Sequence, residues 1–244
     1  MAGTDGRLTG VLTSILMTPA QGPPVRHFRI VVHPEHRRRG IGAALLDVVR
    51  GQDPPGTAVL QSNCEEGWEA GRGFLETRGF SVSRRELDMA RDGDPPEPVP
   101  LPPGCRIRAS GGQGPDEAAW IRLDHEGYVD DPNAQWMDAA DTALLRSDPG
   151  FRLWLAEDAA GPLGLCHAVR DEGGGGWIHS LVVAERARRR GLGRALTVAA
   201  LRELQGGRTN LGVRADNDGA IALYRSLQFE PTGEVTTWRS APPA

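Results

Sequence analysis

Two short runs of this chain set arginines against glycines at the same spacing: Arg37-Arg38-Arg39-Gly40-Ile41-Gly42 and Arg188-Arg189-Arg190-Gly191-Leu192-Gly193. The chemistry such runs suit is anion capture. Each follows an apolar stretch, Phe28 to Val32 in the first case and Ile178 to Val183 in the second. Each opens a helical pattern, through Leu45, Val48 and Val49 or through Leu192, Leu196 and Ala199. A strand that feeds a helix through such a turn leaves the first backbone N–H groups of the helix unpaired and pointing outward, where the helix dipole favours negative charge. Glycine lets the backbone approach a phosphate closely. The chain therefore carries two copies of one phosphate-binding turn.

A proline-rich stretch, residues 92–104, separates the copies; it suits neither a regular helix nor a central strand and reads as a semi-extended linker. Arg37 and Arg188 are 151 residues apart, and Phe80 and Phe229, each closing a helical segment, are 149 apart. Nearly equal offsets point to an internal duplication. The expected division is a first domain over 1–91, the linker, and a second domain over 105–244. In the second half Ile107 starts a strand, and Asp116 is placed to cap a helix through Ala119, Trp120 and Leu123. A further helix is expected over Asp138 to Arg146, strands over Phe151 to Glu157, Leu163 to Arg170, Trp177 to Val183 and Asn210 to Arg214, a helix over Asn217 to Gln228, and terminal strands over Phe229 to Arg239. That order, β-α-α-β-β-β-α-β-α-β, makes a mixed α/β layer. Too few residues precede Phe28 for a matching opening strand and two helices, so the first half reads as a truncated copy.

Composition narrows the class. The 244 residues carry a formal net charge of −4, which speaks against a nucleic-acid protein, since those usually carry a basic excess. Cys64, Cys105 and Cys166 are odd in number and lack metal-ligand spacing, as expected of reduced thiols. No apolar run approaches the ~20 residues of a membrane helix. A cytoplasmic protein with no metal, no membrane and no nucleic-acid partner is the expectation; a homodimer stays open.

The second copy resembles the GNAT family of acetyl-CoA-dependent N-acetyltransferases. The family turn, Arg/Gln-x-x-Gly-x-Gly/Ala, is Arg188-x-x-Gly191-x-Gly193 here, and the family's Asn-x-x-Ala-x-x-x-Tyr is Asn217-x-x-Ala220-x-x-x-Tyr224. The two elements come in the family's order with a strand between them, and the likeness covers Ile107 to Arg239. The fold it implies is two tandem GNAT-like mixed-sheet domains, the N-terminal one truncated and degenerate. The activity it implies is transfer of acetyl from acetyl-CoA to a primary amine of a small molecule or peptide. In those terms Arg188, Arg189, Arg190, Gly191, Leu192, Gly193, Arg194 and Ala195 wrap the coenzyme pyrophosphate. Leu181, Val182 and Val183 face the acetyl-pantetheine arm, Asn217 and Ala220 belong to the coenzyme site, and Tyr224 protonates the leaving thiolate. A phenol of pKa ~10 can donate to a thiolate whose acid has a pKa near ~8.5. A core tyrosine on an apolar helix face is the plainer alternative.

The first copy departs from the family. Aligning Phe80 with Phe229 puts Leu75 where Tyr224 stands, and leucine has no proton to give. His179, nine residues before Arg188, matches a histidine that acts as general base in family members acetylating arylalkylamines; a histidine packed on the sheet is the alternative. Trp177 stands where many members have a glutamate base, eleven residues before the Arg/Gln. That departure argues against the acceptor of one duplicated family member, a cysteinyl glucosaminyl-inositol. The stretch Asp124 to Asp131 falls where the family lines its acceptor pocket, and its carboxylates suit a cationic amine; a solvated acidic loop is the equal alternative. The competing class is a non-catalytic acyl-CoA sensor or scaffold.

Overall fold

The computed structural model describes residues 2–4, 7–19, 22–53, 58–129, 131, 136–204 and 207–241. The chain forms two compact units, one of Met1–Arg85 with Glu234–Ala244, the other of Glu86–Gly233.

The first unit opens with strands β1 (Ala2–Thr4), β2 (Arg7–Met17) and β3 (Val25–Val32), continues through helix α1 (Ile41–Arg50), β4 (Val59–Glu65) and α2 (Glu69–Glu76), and ends in the start of β5 (Ser81–Arg91). The pairs β1–β2 and β2–β3 are antiparallel and β3–β4 is parallel. The apolar faces of α1 and α2 close one side of this sheet over Phe28, Leu46, Val49, Leu75 and Phe80. Among the described residues no helix precedes β3, and Val31 is 45% exposed.

The second unit takes up the rest of β5 and runs through β6 (Arg106–Ser110), α3 (Pro115–Tyr128), α4 (Ala139–Arg146), β7 (Phe151–Asp158), β8 (Gly161–Arg170), β9 (Gly176–Val183), α5 (Leu192–Glu203), β10 (Thr209–Arg214), α6 (Asp218–Ser226) and the start of β11 (Glu230–Arg239). Both faces of its sheet are covered. Trp120 and Leu123 of α3 pack on Leu153, Leu155, Leu165 and Val182; α5 and α6 pack on Cys166, Ile178 and Leu211 from the other side. Val182, the counterpart of Val31, is only 4% exposed. Cover on both faces explains why β7 and β8 read as nearly continuous apolar runs.

The compact units are bounded differently from a division at the proline-rich stretch, because the last strand of each half crosses over. Glu86–Arg91 of β5 pairs antiparallel with β10 inside the second unit, and Val235–Arg239 of β11 pairs antiparallel with β4 inside the first. Residues 92–104 have no regular structure, as expected, yet they are no free tether: Val99 and Leu101 pack against the second unit's core.

Three local expectations are corrected. Asp116 does not cap α3. Gly114 occupies the cap with Pro115 behind it, and the Asp116 carboxylate instead receives both Arg108 guanidinium nitrogens at 2.7 Å and the Ser110 hydroxyl at 2.6 Å. Helix α6 ends at Ser226, short of Gln228, whose left-handed φ of 66° turns the chain toward β11. The terminal segment is one strand. No helix among the described residues is long and apolar enough to cross a membrane.

Candidate active site

The second unit's site begins with a fault in a ladder. Opposite β8, His167 pairs with Ser180 but Ala168 pairs with Ile178, so His179 is an extra residue in β9. Such a bulge re-aims side chains and adds local twist. Ile178, Leu181 and Val183 point to the α5 side, while Ser180 and Val182 point to the α3 side. The parallel pairing of β9 with β10 ends at Ile178–Leu211. Beyond that point one edge of Leu181–Val183 stays bonded to β8, and the other faces an opening wedge.

At the end of β9 the chain makes a single 3₁₀ turn, Glu185–Ala187, and enters α5 through the arginine–glycine run. The Ala187 N–H donates to the Ala184 carbonyl (2.8 Å), the Arg188 N–H to Glu185 (3.1 Å), and Arg188 Nε to Val183 (3.2 Å). Arg189 is left-handed at φ 62° and Gly191 at 85°. Gly191 caps α5 with no side chain, so the first N–H groups of the helix stay open. The first unit repeats each feature. The Arg37 N–H donates to Pro34 (3.2 Å), Arg37 Nε donates to Val32 (3.1 Å), Arg38 has φ 63° and Gly40 φ 82°. Arg38, Arg189 and Gln228 are the non-glycine residues at positive φ among the described residues. Two of the three are thus the middle arginines of the two turns, and such strain collects at ligand clamps.

The side chains of the turn divide their work. Arg194 is tied to α6 through the Ser226 hydroxyl at 2.7 Å, so its backbone and not its guanidinium faces the helix start. Arg190 reaches the Cys105 sulfur at 3.6 Å. Asn217 caps α6, its side-chain oxygen accepting the Ala220 N–H at 3.0 Å, which leaves its NH₂ free to turn outward.

Tyr224 comes from the inner face of α6 and is 6% exposed, its ring edge-on to Phe229 at 5.7 Å. Its hydroxyl has no hydrogen bond among the described residues. Burial pushes the phenol above its ordinary pKa, and the nearby Cys166 and Tyr128 push the same way. Cys166 itself is fully buried, its thiol raised by burial to about 12, which makes it a core residue and no nucleophile. In the first unit Leu75 fills the matching place. The Phe80 N–H donates to the Leu75 carbonyl as the Phe229 N–H donates to Tyr224.

On the α3 side the structure adds a residue that sequence reasoning passed over. Tyr128, in the last turn of α3, puts its hydroxyl 3.4 Å from Ser180 Oγ on β9. Its pKa is raised chiefly by burial; Ser180 opposes this, and Asp124, Asp131 and Glu86 add to it. The chain has two tyrosines, and both converge on this wedge. That scarcity was the available signal. The acidic stretch is also no solvated loop: Asp124 to Tyr128 are helical, Asp124 and Asp131 are buried, and Arg214 lies 3.8 Å from Asp131.

His179 stands on the same side with an exposed ring, stacked on His167 at 5.4 Å and 6.2 Å from Trp177. Partial burial lowers its pKa and Asp148 opposes the shift, which favours a neutral ring able to take a proton. His167 is sealed beneath it, pushed down to about 4 by burial. One group among the described residues has metal-ligand geometry, His33, Glu35 and His36, with ligand atoms within 4.8 Å of one another. These residues lie on the surface of the first unit.

Close packing fixes α3 on β9. A Cβ on Gly127 would lie 2.7 Å from Val182 Cγ1. Gly127→Ala is therefore expected to destabilise the protein by about 1–3 kcal/mol, read as a lowered midpoint in urea. An unchanged midpoint would show that α3 is not held this tightly.

The comparisons agree with this geometry. The sequence model of the Acetyltransferase (GNAT) family matches residues 1–52 and 118–229. The chain belongs to the GNAT family and is an N-acetyltransferase of that type. Among its relatives is a mycothiol acetyltransferase of Clavibacter michiganensis, 31% identical, the match covering 98% of this chain and 78% of that protein. Another, of Salinispora tropica, is 33% identical over 92% of this chain and 75% of that protein. A GCN5-related N-acetyltransferase from Sphaerobacter thermophilus shares the fold with a TM-score of 0.73 at 22% identity, covering 97% of this chain and 78% of that one. A tandem GNAT protein from the clavulanic acid biosynthesis pathway does so at 0.72 and 23%, covering 98% and 80%.

Proposed function

We propose that the second unit transfers the acetyl group of acetyl-CoA to a primary amine by direct attack, and that the acceptor is a cysteinyl glucosaminyl-inositol, the substrate of mycothiol synthase. Three features of the second unit support the transfer reading: the open helix start at Gly191, the edge of β9 whose pairing with β10 ends at Ile178, and a Tyr224 hydroxyl with no hydrogen bond among the described residues. In this reading the pyrophosphate lies against the N–H groups of Leu192 to Ala195, with Arg188, Arg189 and Arg190 around it and the Asn217 NH₂ alongside. The pantetheine arm runs along Leu181 to Val183. The amine nitrogen attacks the thioester carbonyl, a backbone N–H of that edge steadies the oxyanion, the C–S bond breaks, and Tyr224 delivers its proton to sulfur. His179 takes the proton that the nitrogen loses after attack. Leu75 leaves the first unit with no proton donor, so transfer is confined to the second.

The acceptor reading rests on the relatives' name and on the coverage of both units by those matches. Trp177 is no obstacle to it if another group does the work of the missing glutamate. The test is formation of N-acetylated product, read by mass spectrometry, with the cysteinyl glucosaminyl-inositol and with a panel of simple primary amines. A kcat/KM for the conjugate at least a hundredfold above the panel is expected. Activity on the panel alone would keep the transferase reading and remove this acceptor.

A further inference from the structure

The second unit holds a buried carboxylate that no contact accounts for. Asp124 is 6% exposed, and among the described residues it has neither a hydrogen bond nor an ion pair. It is also not one of the polar atoms sealed without a partner, so its oxygens keep a path to solvent. Other acids of this unit are matched: Glu157 has Arg106 and Arg108, Asp116 has Arg108 and Ser110, and Glu117 has Arg146 and Thr142. Burying an unpaired charge is costly, and such a group in a cleft is a candidate for function.

Its position says which function. Residues four apart share a helix face, with Cβ atoms ~6 Å apart, and Asp124 lies one turn before Tyr128, which meets Ser180 on the bulged strand. The Asp124 charge reaches that phenol. The coenzyme turn and Tyr224 belong to the α5 side of the sheet, so Asp124 stands on the side left for the acceptor. Burial raises its pKa to about 6; Asp141 of α4 adds to the shift and His125 of its own helix opposes it. Tyr128, Asp131 and Glu86 complete the ionisable surroundings of this corner. At neutral pH the carboxylate is mostly charged, with no cation paired to it among the described residues. Trp177, meanwhile, leaves the strand without a carboxylate of its own.

We propose that Asp124 receives the acceptor, pairing with the incoming ammonium and taking one proton from it, directly or through one water, before the nitrogen attacks. This rests on the acetyl-transfer reading above. The proton count closes. One proton passes from ammonium to Asp124 and on to solvent. The second nitrogen proton passes to His179 as the C–N bond settles. The Tyr224 proton goes to the departing sulfur, and the phenolate regains one from His179 through water.

The experiment compares wild type with Asp124→Asn, which keeps shape and removes the charge. Acetyl-CoA affinity should be unchanged, because the coenzyme lies on the other face. The kcat/KM for the cysteinyl glucosaminyl-inositol should fall about 10²-fold or more, the usual scale for a positioned base, and the acid limb of its pH profile, near pH 6 in wild type, should vanish. Asp141→Asn, outside the site, should shift that limb to lower pH with full activity at the plateau. Folding gives an independent reading. A carboxyl whose folded pKa lies above its unfolded value loses stability as pH rises from the unfolded value to the folded one, so Asp124→Asn should melt higher than wild type at pH 7.5, and the difference should close as pH falls below the ordinary carboxyl value of 3.8. Transfer within threefold of wild type with the limb intact would overturn the assignment and leave the limb to His179. A lower melting point at pH 7.5 would overturn it too, by revealing a structural partner. Should wild type acetylate neither the conjugate nor the amine panel, the transfer reading itself would fall, a result distinct from either.

Discussion

Replacing Tyr224 by phenylalanine should lower kcat by 10²- to 10⁴-fold, the range in which a positioned general acid contributes, while acetyl-CoA binds as before. The reasons are local. The hydroxyl makes no hydrogen bond among the described residues, so its removal breaks none. The ring's edge contact with Phe229 at 5.7 Å survives in phenylalanine. The fold and the coenzyme turn should therefore be untouched, and any lost rate belongs to the chemical step. The raised pKa serves this role, because a phenol held above its ordinary value stays protonated across the working range and has its proton ready when the thiolate leaves. The check is kcat from product formation beside a calorimetric acetyl-CoA titration. A variant that turns over normally would show that the leaving sulfur draws its proton from elsewhere, with Tyr128 the next group to remove. A variant that loses coenzyme affinity along with rate would mark Tyr224 as a packing residue.

Much of this site could be read along the chain, and the reason is range. The two turns are local objects: a strand, a left-handed glycine and a helix within about a dozen residues, whose requirements appear as residue types. Tyr224 is fixed by its seven-residue distance from Asn217 on a single helix, and Leu75 by its distance from Phe80. What escaped depends on partners. The bulge at His179 exists only in the pairing of β9 against β8. Tyr128 and Ser180 are 52 residues apart and meet through the packing of α3 on the sheet. For the acidic stretch an acceptor lining and a solvated loop stood even, because charge is usually outside; that Asp124 is buried follows from its place beside Trp120 and Leu123 on the inner face of α3. The exchange of β5 and β11 leaves no trace in alternation, since a strand's pattern states which face is buried and not which edge it joins. Asp116 had the composition of a cap but found a stronger partner in Arg108.

The two turns lead to a prediction of stoichiometry. Their backbones agree in each carbonyl contact and in the left-handed φ of both the arginine and the glycine. Anion binding at such a turn uses backbone N–H groups, which do not require Tyr224. Titration with acetyl-CoA is therefore expected to show two sites per chain. Gly191→Asp should remove one site and all transfer; Gly40→Asp should remove the other and leave transfer intact. A Cβ at either glycine would meet nothing within 4 Å, so the new side chain has room. Strain at positive φ, about 1–2 kcal/mol, falls on an exposed turn that the fold can bear. The added carboxylate would sit where a phosphate must lie, and two unit charges 4 Å apart at an effective dielectric of 20 repel by ~4 kcal/mol, close to a thousandfold in affinity. One site, lost in Gly191→Asp alone, would mean that the first turn keeps its shape without its ligand, for want of the sheet cover that leaves Val31 exposed. No binding at millimolar acetyl-CoA would remove the coenzyme from both turns, and the proposed reaction with it.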